Sequence, residues 1–457
     1  MQMKNTIFIF SLFTTFIVNA QVLGYLDFGV LATDENLQST ARTMAMKNAF
    51  GALGGDVSAT VINPASAAVY NYSVINLSLG NNTYTTNANY YNTESDLSYD
   101  IFSVSQGGGV LLFDVEDEAS DWKKFALGIN IQTQNNFNNS WKAQGVGLPT
   151  WVQNPSGDIS YTQVEYQKFK NETSGLHTAM NFSLSVAYTD NLFLGVGLNT
   201  HNIEFHERSI RDERSIDTSS NWVEGHERFW QDVEADGMSF SLGAILKVSD
   251  AIRLGISYAT PTWYDVVEEN NIFAEDEDDF MGYYRVTYSD EEGAFYNSDT
   301  KVQAYDYTLR TPSKTTASIA YVFGKSGLIS ADFSTKNYKG IHLKPGIEFE
   351  DVNSDISNLL RNTYAVNLGT EWRVKKLSLR GGYSFEKAAY SGALASDNKQ
   401  GYALGLGYDF GGFVFDVVYD YNENTDYFNF YPDFNDIQGA ELNQSNTKIS
   451  ASISLKF

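Results

Sequence analysis

Residues 251–260 read AIRLGISYAT. Ile252, Leu254, Ile256 and Tyr258 fall on one side of an extended chain, and Arg253, Gly255 and Ser257 on the other. Successive side chains of a β-strand point to opposite faces, so this stretch has one apolar face and one polar or small face. The stretch from Tyr364 repeats the pattern, with Tyr364, Val366, Leu368 and Trp372 against Ala365, Asn367, Gly369 and Glu371. So does the one from Phe182, through Leu184, Val186 and Tyr188. Fourteen such stretches are legible, beginning near Val74, Asp100, Lys124, Met180, Asn191, Gly237, Ala251, Ser313, Gly327, Asn362, Lys376, Gly401, Gly412 and Ser445.

A soluble sandwich also alternates, but two features favour a membrane barrel. The connections alternate in length. Thr189-Asp190, Ser249-Asp250, 324–327, 374–376 and Gly411-Gly412 are tight turns, whereas 138–178, 206–236, 264–311 and 339–361 read as long polar loops. Shorter loops are expected near 81–99, 387–400 and 424–444. Short turns at one rim and long loops at the other form the outer-membrane pattern. Aromatics also gather at strand ends: Tyr188, Tyr258, Trp263, Tyr321, Phe323, Trp372, Tyr408, Phe410 and Tyr419. That placement suits two interfacial girdles.

Composition agrees. The chain of 457 residues holds 29 Tyr and 30 Phe, 19% charged residues and only seven prolines. A net charge of -25 argues against a nucleic-acid partner, since phosphate binding needs a basic surface. With no cysteine there is no disulfide scaffold and no thiolate metal site.

Lys4, the apolar residues 7–18 (IFIFSLFTTFIV) and Val18-Asn19-Ala20 read as a signal peptide spanning 1–20. The mature chain is expected to start near Gln21, without a lipoprotein cysteine. Residues 74–457 make the barrel, and the last strand ends on an alternating face of Ile449, Ala451, Ile453, Leu455 and Phe457. A terminal aromatic there reads as a signal to the barrel-insertion machinery. Fourteen strands enclose a lumen that leaks unless filled. The filler is residues 21–73, which include GALGGDVSATVINPASAAVY (51–70), neither strand-like nor helical in pattern. Gly51, Gly54 and Gly55 permit close backbone packing, Pro64 fixes a turn, and Asn63 can cap nearby backbone. Arg42 and Asp56 are expected to pair with lumen charges. The fold expected is all-β: a transmembrane antiparallel barrel with an N-terminal plug.

Ser39-Thr40-Ala41-Arg42, Ala49-Phe50-Gly51, Asp56 and Asn63-Pro64-Ala65, followed by the first strand, resemble the FadL/TodX-type family of outer-membrane hydrophobic-compound transporters. The resemblance is specific over 38–72 and architectural elsewhere. It implies a hatch carrying the Asn-Pro-Ala motif and capture of a long-chain fatty acid or another hydrophobic small molecule, with hatch rearrangement. Phe50, Asn63, Pro64 and Ala65 are candidates for the moving or contacting part of that hatch, or only hold it folded, and with no energy-coupling motif visible the uptake is expected to be passive. It also implies delivery to outer-membrane lipid through a gap near an inward kink of the third strand. Gly128 is the candidate wall opening in that strand.

No catalytic constellation stands out: there is no Gly-x-Ser-x-Gly elbow and no His-Glu-x-x-His, so no enzyme, cofactor or metal is expected. The acidic run 275–279 lacks the glycine-anchored spacing of a calcium loop. Five histidines, His177, His201, His206, His226 and His342, keep a haem-binding outer-membrane receptor as the alternative, beside a structural or adhesive surface barrel. Trp141, Trp151, Tyr283-Tyr284 and 427–431 (YFNFY) are candidates for capturing an apolar ligand, or for packing loops together. The series Gly401, Ala403, Gly405 and Gly407 either lines a passage or fits packed hatch atoms.

Overall fold

A computed structural model describes residues 23–117, 119–150, 152–154, 156–272, 283–289, 296–297, 301–431 and 436–457. The expected leader, Trp151 and the run 275–279 lie outside the described residues. Fourteen antiparallel staves close into one barrel. They are Val74–Tyr90, Thr93–Asp114, Trp122–Asn136, Gln163–Tyr188, Leu192–Ile216, Trp222–Lys247, Ile252–Ala259 continued by Trp263–Ile272, Lys301–Arg310 continued by Lys314–Val322, Gly327–Asn337, Asn362–Val374, Leu377–Glu386, Lys399–Asp409, Phe413–Phe428 and Ala440–Lys456. The first pairs with the last from Val74 opposite Lys456 to Asn89 opposite Glu441, which removes the open edge.

The alternation that defines these staves runs opposite to that of a soluble protein. Ile252, Leu254, Ile256 and Tyr258 are exposed, while Ser257 is buried. On the last stave Ile449, Ile453 and Leu455 are exposed, and Lys448, Ser450 and Ser452 are buried. Apolar side chains facing outward around a closed ladder make a surface for hydrocarbon. Aromatics cluster at both ends of this belt. Near the short turns Tyr321, Phe323 and Trp372 stack in sequence, with centroids 4.7 and 5.3 Å apart. At the far end Phe333, Tyr364 and Phe385 follow one another at 6.0 Å.

Much of what reads as polar loop is strand. Gln163–Tyr188, Leu192–Ile216 and Trp222–Lys247 run 26, 25 and 26 residues, whereas crossing a bilayer takes about ten. Residues 81–99 are likewise a continuous hairpin, turned by Tyr91 and Asn92 at φ 46° and 63°. Beyond the apolar belt the outward face of a stave meets water and need not be apolar. The hydropathy signal therefore ends, although the hydrogen-bonded ladder continues. Regions 339–361 and 387–398 stay outside the staves: the first holds a short strand His342–Lys344 and a helix, Glu350–Leu359, and the second is turns and irregular chain with one isolated bridge from Tyr390 to Leu360.

If the outward face meets hydrocarbon, Ile256→Arg will cost about 2–4 kcal/mol of folding free energy near the midplane. Denaturant titration of the barrel in lipid vesicles measures this.

Candidate functional site

Between residue 23 and the first stave the chain folds into helices α1 (Tyr25–Thr33), α2 (Ala41–Ala45) and α3 (Ala59–Ile62) and a 3₁₀ helix, Pro64–Val69. Thr40 caps α2, its hydroxyl accepting from Thr43 N. Asn63 caps the 3₁₀ turn, its Oδ1 accepting from Ala65 N at 3.1 Å. Gly54 and Gly55 take φ of 61° and 66°, which favours glycine. The segment is almost entirely buried: Ala41, Phe50, Asn63 and Ala65 are 0% exposed.

The Asn-Pro-Ala turn lies directly against the inner wall. Asn63 Nδ2 donates to Gly51 O at 2.8 Å, to Ala244 O at 3.1 Å and to Ile256 O at 3.4 Å. Ser185 Oγ donates to Pro64 O, and Ser257 Oγ to Ile62 O at 2.8 Å. The contact depends on absent side chains in the wall. A Cβ on Gly243 would lie 2.0 Å from Asn63 Oδ1, and one on Gly195 would lie 2.4 Å from Pro64 C and Ala65 N. A Cβ on Gly255 would lie 2.2 Å from Gly51 O. Sequence reasoning misses these three wall glycines. Their only signal there is a position on the inner face of neighbouring staves.

Charge fixes the rest. Arg42 pairs with Glu371 at 3.0 Å and donates to Gly55 O at 2.9 Å, with its guanidinium 5.2 Å from the Phe50 ring. Glu371 also holds Arg380 and Arg373, and Arg380 holds Asp416. Lys47 pairs with Asp420 at 2.6 Å. In the other direction Asp34 pairs with Lys399, and Glu35 with Lys314 and Lys336. Asp56 bonds within its own segment instead, accepting from Thr40 Oγ1 at 2.8 Å and Ser58 N at 3.0 Å. The expected lumen pairing therefore applies to Arg42 and not to Asp56.

The series Gly401, Ala403, Gly405 and Gly407 receives packed atoms. A Cβ on Gly405 would meet Ala45, one on Gly401 would meet Lys47 Nζ, and Ala403 packs with Ala41, Met44 and Ala45. The segment begins at the opposite end of the lumen from the short turns. Leu23 N donates to Glu207 Oε2 at 2.9 Å, and Phe28 packs with Phe205 and Tyr264. The chain thus traverses the lumen from that end to the first stave.

Above α2 lies a chamber of about 770 Å³. Its lining joins the segment to Phe137, Trp141, Phe205, Tyr427 and Phe428. Trp141 and Phe428 also pack with Phe169 and Phe430, at centroid distances of 5.1 to 6.1 Å, so these two aromatics both pack with their neighbours and face the chamber. Tyr283 and Tyr284 form a short strand opposite Arg228 and Glu227.

The third stave breaks at the chamber. Thr133, Gln134, Asn135, Asn136 and Phe137 are 5–7% exposed, which an alternating strand does not allow, so the chain bends inward. Its ladder to Thr93–Asp114 ends at Gln106 opposite Gln132. The continuation, Asn139–Gly145, pairs with the fourth stave only. Beside this break Phe102 and Val104 are 71% and 62% exposed. Gly128, the candidate wall opening, lies in intact ladder between Val110 and Ser183, whereas the ladder to the second stave is interrupted beyond Gln132 and a register slip falls between Thr133 and Asn135.

Among the described residues no group of three or more His, Cys, Asp or Glu is placed to hold a metal ion. His177 Nε2 lies 3.2 Å from both His201 Nδ1 and Tyr264 OH. His206 and His226 pair with Asp232 and Asp212.

A closed barrel with an apolar outer belt, a filled lumen and, among the described residues, an interrupted ladder beside the third stave defines a membrane-spanning β-barrel architecture. Solved structures share it. A Pseudomonas aeruginosa FadL homologue aligns with a TM-score of 0.56 at 15% identity, covering 92% of this chain and 98% of its own. The CymD monoaromatic hydrocarbon channel gives 0.54 at 14% identity, over 92% and 97%. The P. putida toluene transporter TodX gives 0.53 at 15%, over 90% and 98%. No protein-family model and no curated protein matches the sequence. The chain has the FadL/TodX-type fold at low sequence identity.

Burial opposes the Glu35 charge, but Lys314 and Lys336 outweigh it and hold the carboxyl down at about 2. A depressed carboxyl stabilises the docked segment fully above its ordinary value of 4.5, and this contribution is lost as pH falls through about 2. Protease accessibility of residues 23–40 will rise across that window, and Glu35→Gln will remove this component. At neutral pH Gly243→Leu will dislodge the Asn-Pro-Ala turn and raise single-channel conductance, whereas Gly412→Leu, in open space at a turn, will not.

Proposed function

We propose that the protein is an outer-membrane channel for passive uptake of hydrophobic small molecules, with residues 23–73 acting as its hatch. The observation that carries this reading is the chamber of about 770 Å³, bounded on one side by that segment and on another by Asn135, Asn136 and Phe137 of the broken stave. A ligand in the chamber gains about 0.8 kcal/mol per buried CH₂, enough to draw it from water. It lies beside the interruption in the wall, where Phe102 and Val104 face hydrocarbon. Sideways release into lipid avoids an aqueous step. The solved channels of this fold are described as carrying toluene and monoaromatic hydrocarbons, which supports an apolar cargo here.

Phe50, Asn63, Pro64 and Ala65 are the contacting part of the hatch in this reading, and Phe457, exposed at the end of the last stave, addresses the barrel-insertion machinery. The leader directs the chain across the inner membrane. The rival readings, haem receptor and adhesin, draw on no comparable feature among the described residues.

The test is uptake of a radiolabelled apolar solute into liposomes containing the barrel. Asn63→Ala strands three carbonyl contacts, at a cost of about 1–3 kcal/mol, and changes the uptake rate at least fivefold while the barrel still inserts. Wild-type rates from Asn63→Ala and Pro64→Ala barrels would refute the hatch. Mass spectrometry of lipids retained from native membrane would then name the cargo class.

A further inference from the structure

The chamber is apolar in part, yet its charges are unbalanced. Ten carboxylates and five lysines line it. Every lysine is engaged: Lys47 with Asp420, Lys314 and Lys336 with Glu35, Lys399 with Asp34, and Lys387 over the Tyr364 ring at 5.8 Å. Glu386 shares Lys336. Six carboxylates remain, and the described structure gives them uncharged hydrogen-bond donors only. Asp27 takes Tyr390 OH, Glu207 takes Leu23 N and Asn171, and Asp332 takes Gly51 N. Asp397 takes Leu394 N and Ser396, Glu423 takes Gln400 and Tyr421, and Asp426 takes Tyr427 N. Asp27 and Asp397 are each close enough to repel Asp426, with Lys399 acting against them.

A second feature points to a ligand atom. Asn136, at the wall break, lines the chamber and is 7% exposed. Its Oδ1 accepts from Asn138 N and Nδ2 at 3.0 and 2.6 Å, while its own Nδ2 finds no acceptor in the protein. A buried amide donor without a partner costs stability unless something else meets it. An oxygen on a ligand would do so.

Resting on the chamber being the ligand-binding space, we propose that it takes hydrophobic molecules whose head is an uncharged oxygen, a hydroxyl or a carbonyl, and that it disfavours free carboxylates. A fatty acid brings a further carboxylate into a space where ten already stand against five lysines, partly screened from water, where like charges a few ångströms apart repel strongly. An alcohol of the same length instead donates to a chamber carboxylate and accepts from Asn136. Long-chain fatty acid, the cargo the sequence resemblance implies, is then a poor ligand for this chain.

Equilibrium retention of isotope-labelled 1-decanol and decanoate by the full-length barrel in nanodiscs at pH 8, corrected against empty nanodiscs, tests this. Decanol is expected to bind at least tenfold tighter than decanoate. Asn136→Ala will weaken decanol about tenfold and leave decanoate unchanged. The Asp397→Asn, Asp426→Asn double variant, at the chamber's open rim, will narrow the ratio by improving decanoate. Heat-modifiable gel mobility confirms that each variant is folded. Decanoate binding as tightly as decanol to the wild type would overturn the proposal while leaving the channel reading intact. Retention of neither ligand would overturn both.

Discussion

A backbone in hydrocarbon has no water to bond to, so every amide in the wall must find a partner in the wall. The pairing of Val74–Tyr90 with Ala440–Lys456 meets that demand by closing the ladder on itself. Closure turns the apolar face outward and the polar face inward, against the usual order. It also gathers Glu371, Arg380, Asp416, Asp420 and Lys448 into one interior. Such groups are costly to bury unless paired and bonded. The segment ahead of the first stave meets this cost, bringing Arg42 and Lys47 to the acids and Asp34 and Glu35 to the lysines. Filling the lumen and neutralising it are thus one event.

The same constraint makes the break in the third stave informative. An interrupted ladder leaves backbone groups without strand partners. Here the bent chain puts Asn135, Asn136 and Asn138 at the interruption, and Asn side chains substitute for part of the missing ladder, with Asn135 Oδ1 accepting from Asn136 N and Asn136 Oδ1 from Asn138 N. Polar side chains that repair backbone locally let a wall open without exposing bare amides to lipid. A glycine such as Gly128 would only weaken an intact ladder, and at that position a Cβ would crowd Ser183, which shows close packing and not a gap.

Sequence legibility follows hydropathy. All fourteen staves are recoverable wherever they cross the apolar belt, because there one face in two must be apolar. Their outer halves read as loops, since there the outward face is wet and no longer carries the mark. The turns at Thr189-Asp190, 324–327 and Gly411-Gly412 are legible from small and polar residues, but Tyr91-Asn92 is not: neither residue is glycine, although both adopt positive φ. In the site, Arg42, Asn63 and Pro64 stand out by type and spacing. Asp56 reads wrongly as a lumen partner, because a carboxylate bonded to Thr40 and Ser58 in its own segment looks the same in sequence as one bonded across the barrel.

Gly195, Gly243 and Gly255 are illegible for another reason. Each is one small residue in a face where small residues are common, and its meaning lies in what approaches it from a segment more than 100 residues away in sequence. The wall is thinnest where the Asn-Pro-Ala turn touches it, and Asn63 there bonds carbonyls of two adjacent staves at once. A turn held by backbone carbonyls can leave without stranding a charge, whereas one held by an ion pair cannot. The ion pairs are concentrated on α2 and the stretches on either side of it, at Asp34, Glu35, Arg42 and Lys47, and the neutral contacts on the Asn-Pro-Ala turn. If the segment acts as the proposed hatch, its motion costs least at the Asn-Pro-Ala end, with Arg42 and Lys47 holding the remainder in place.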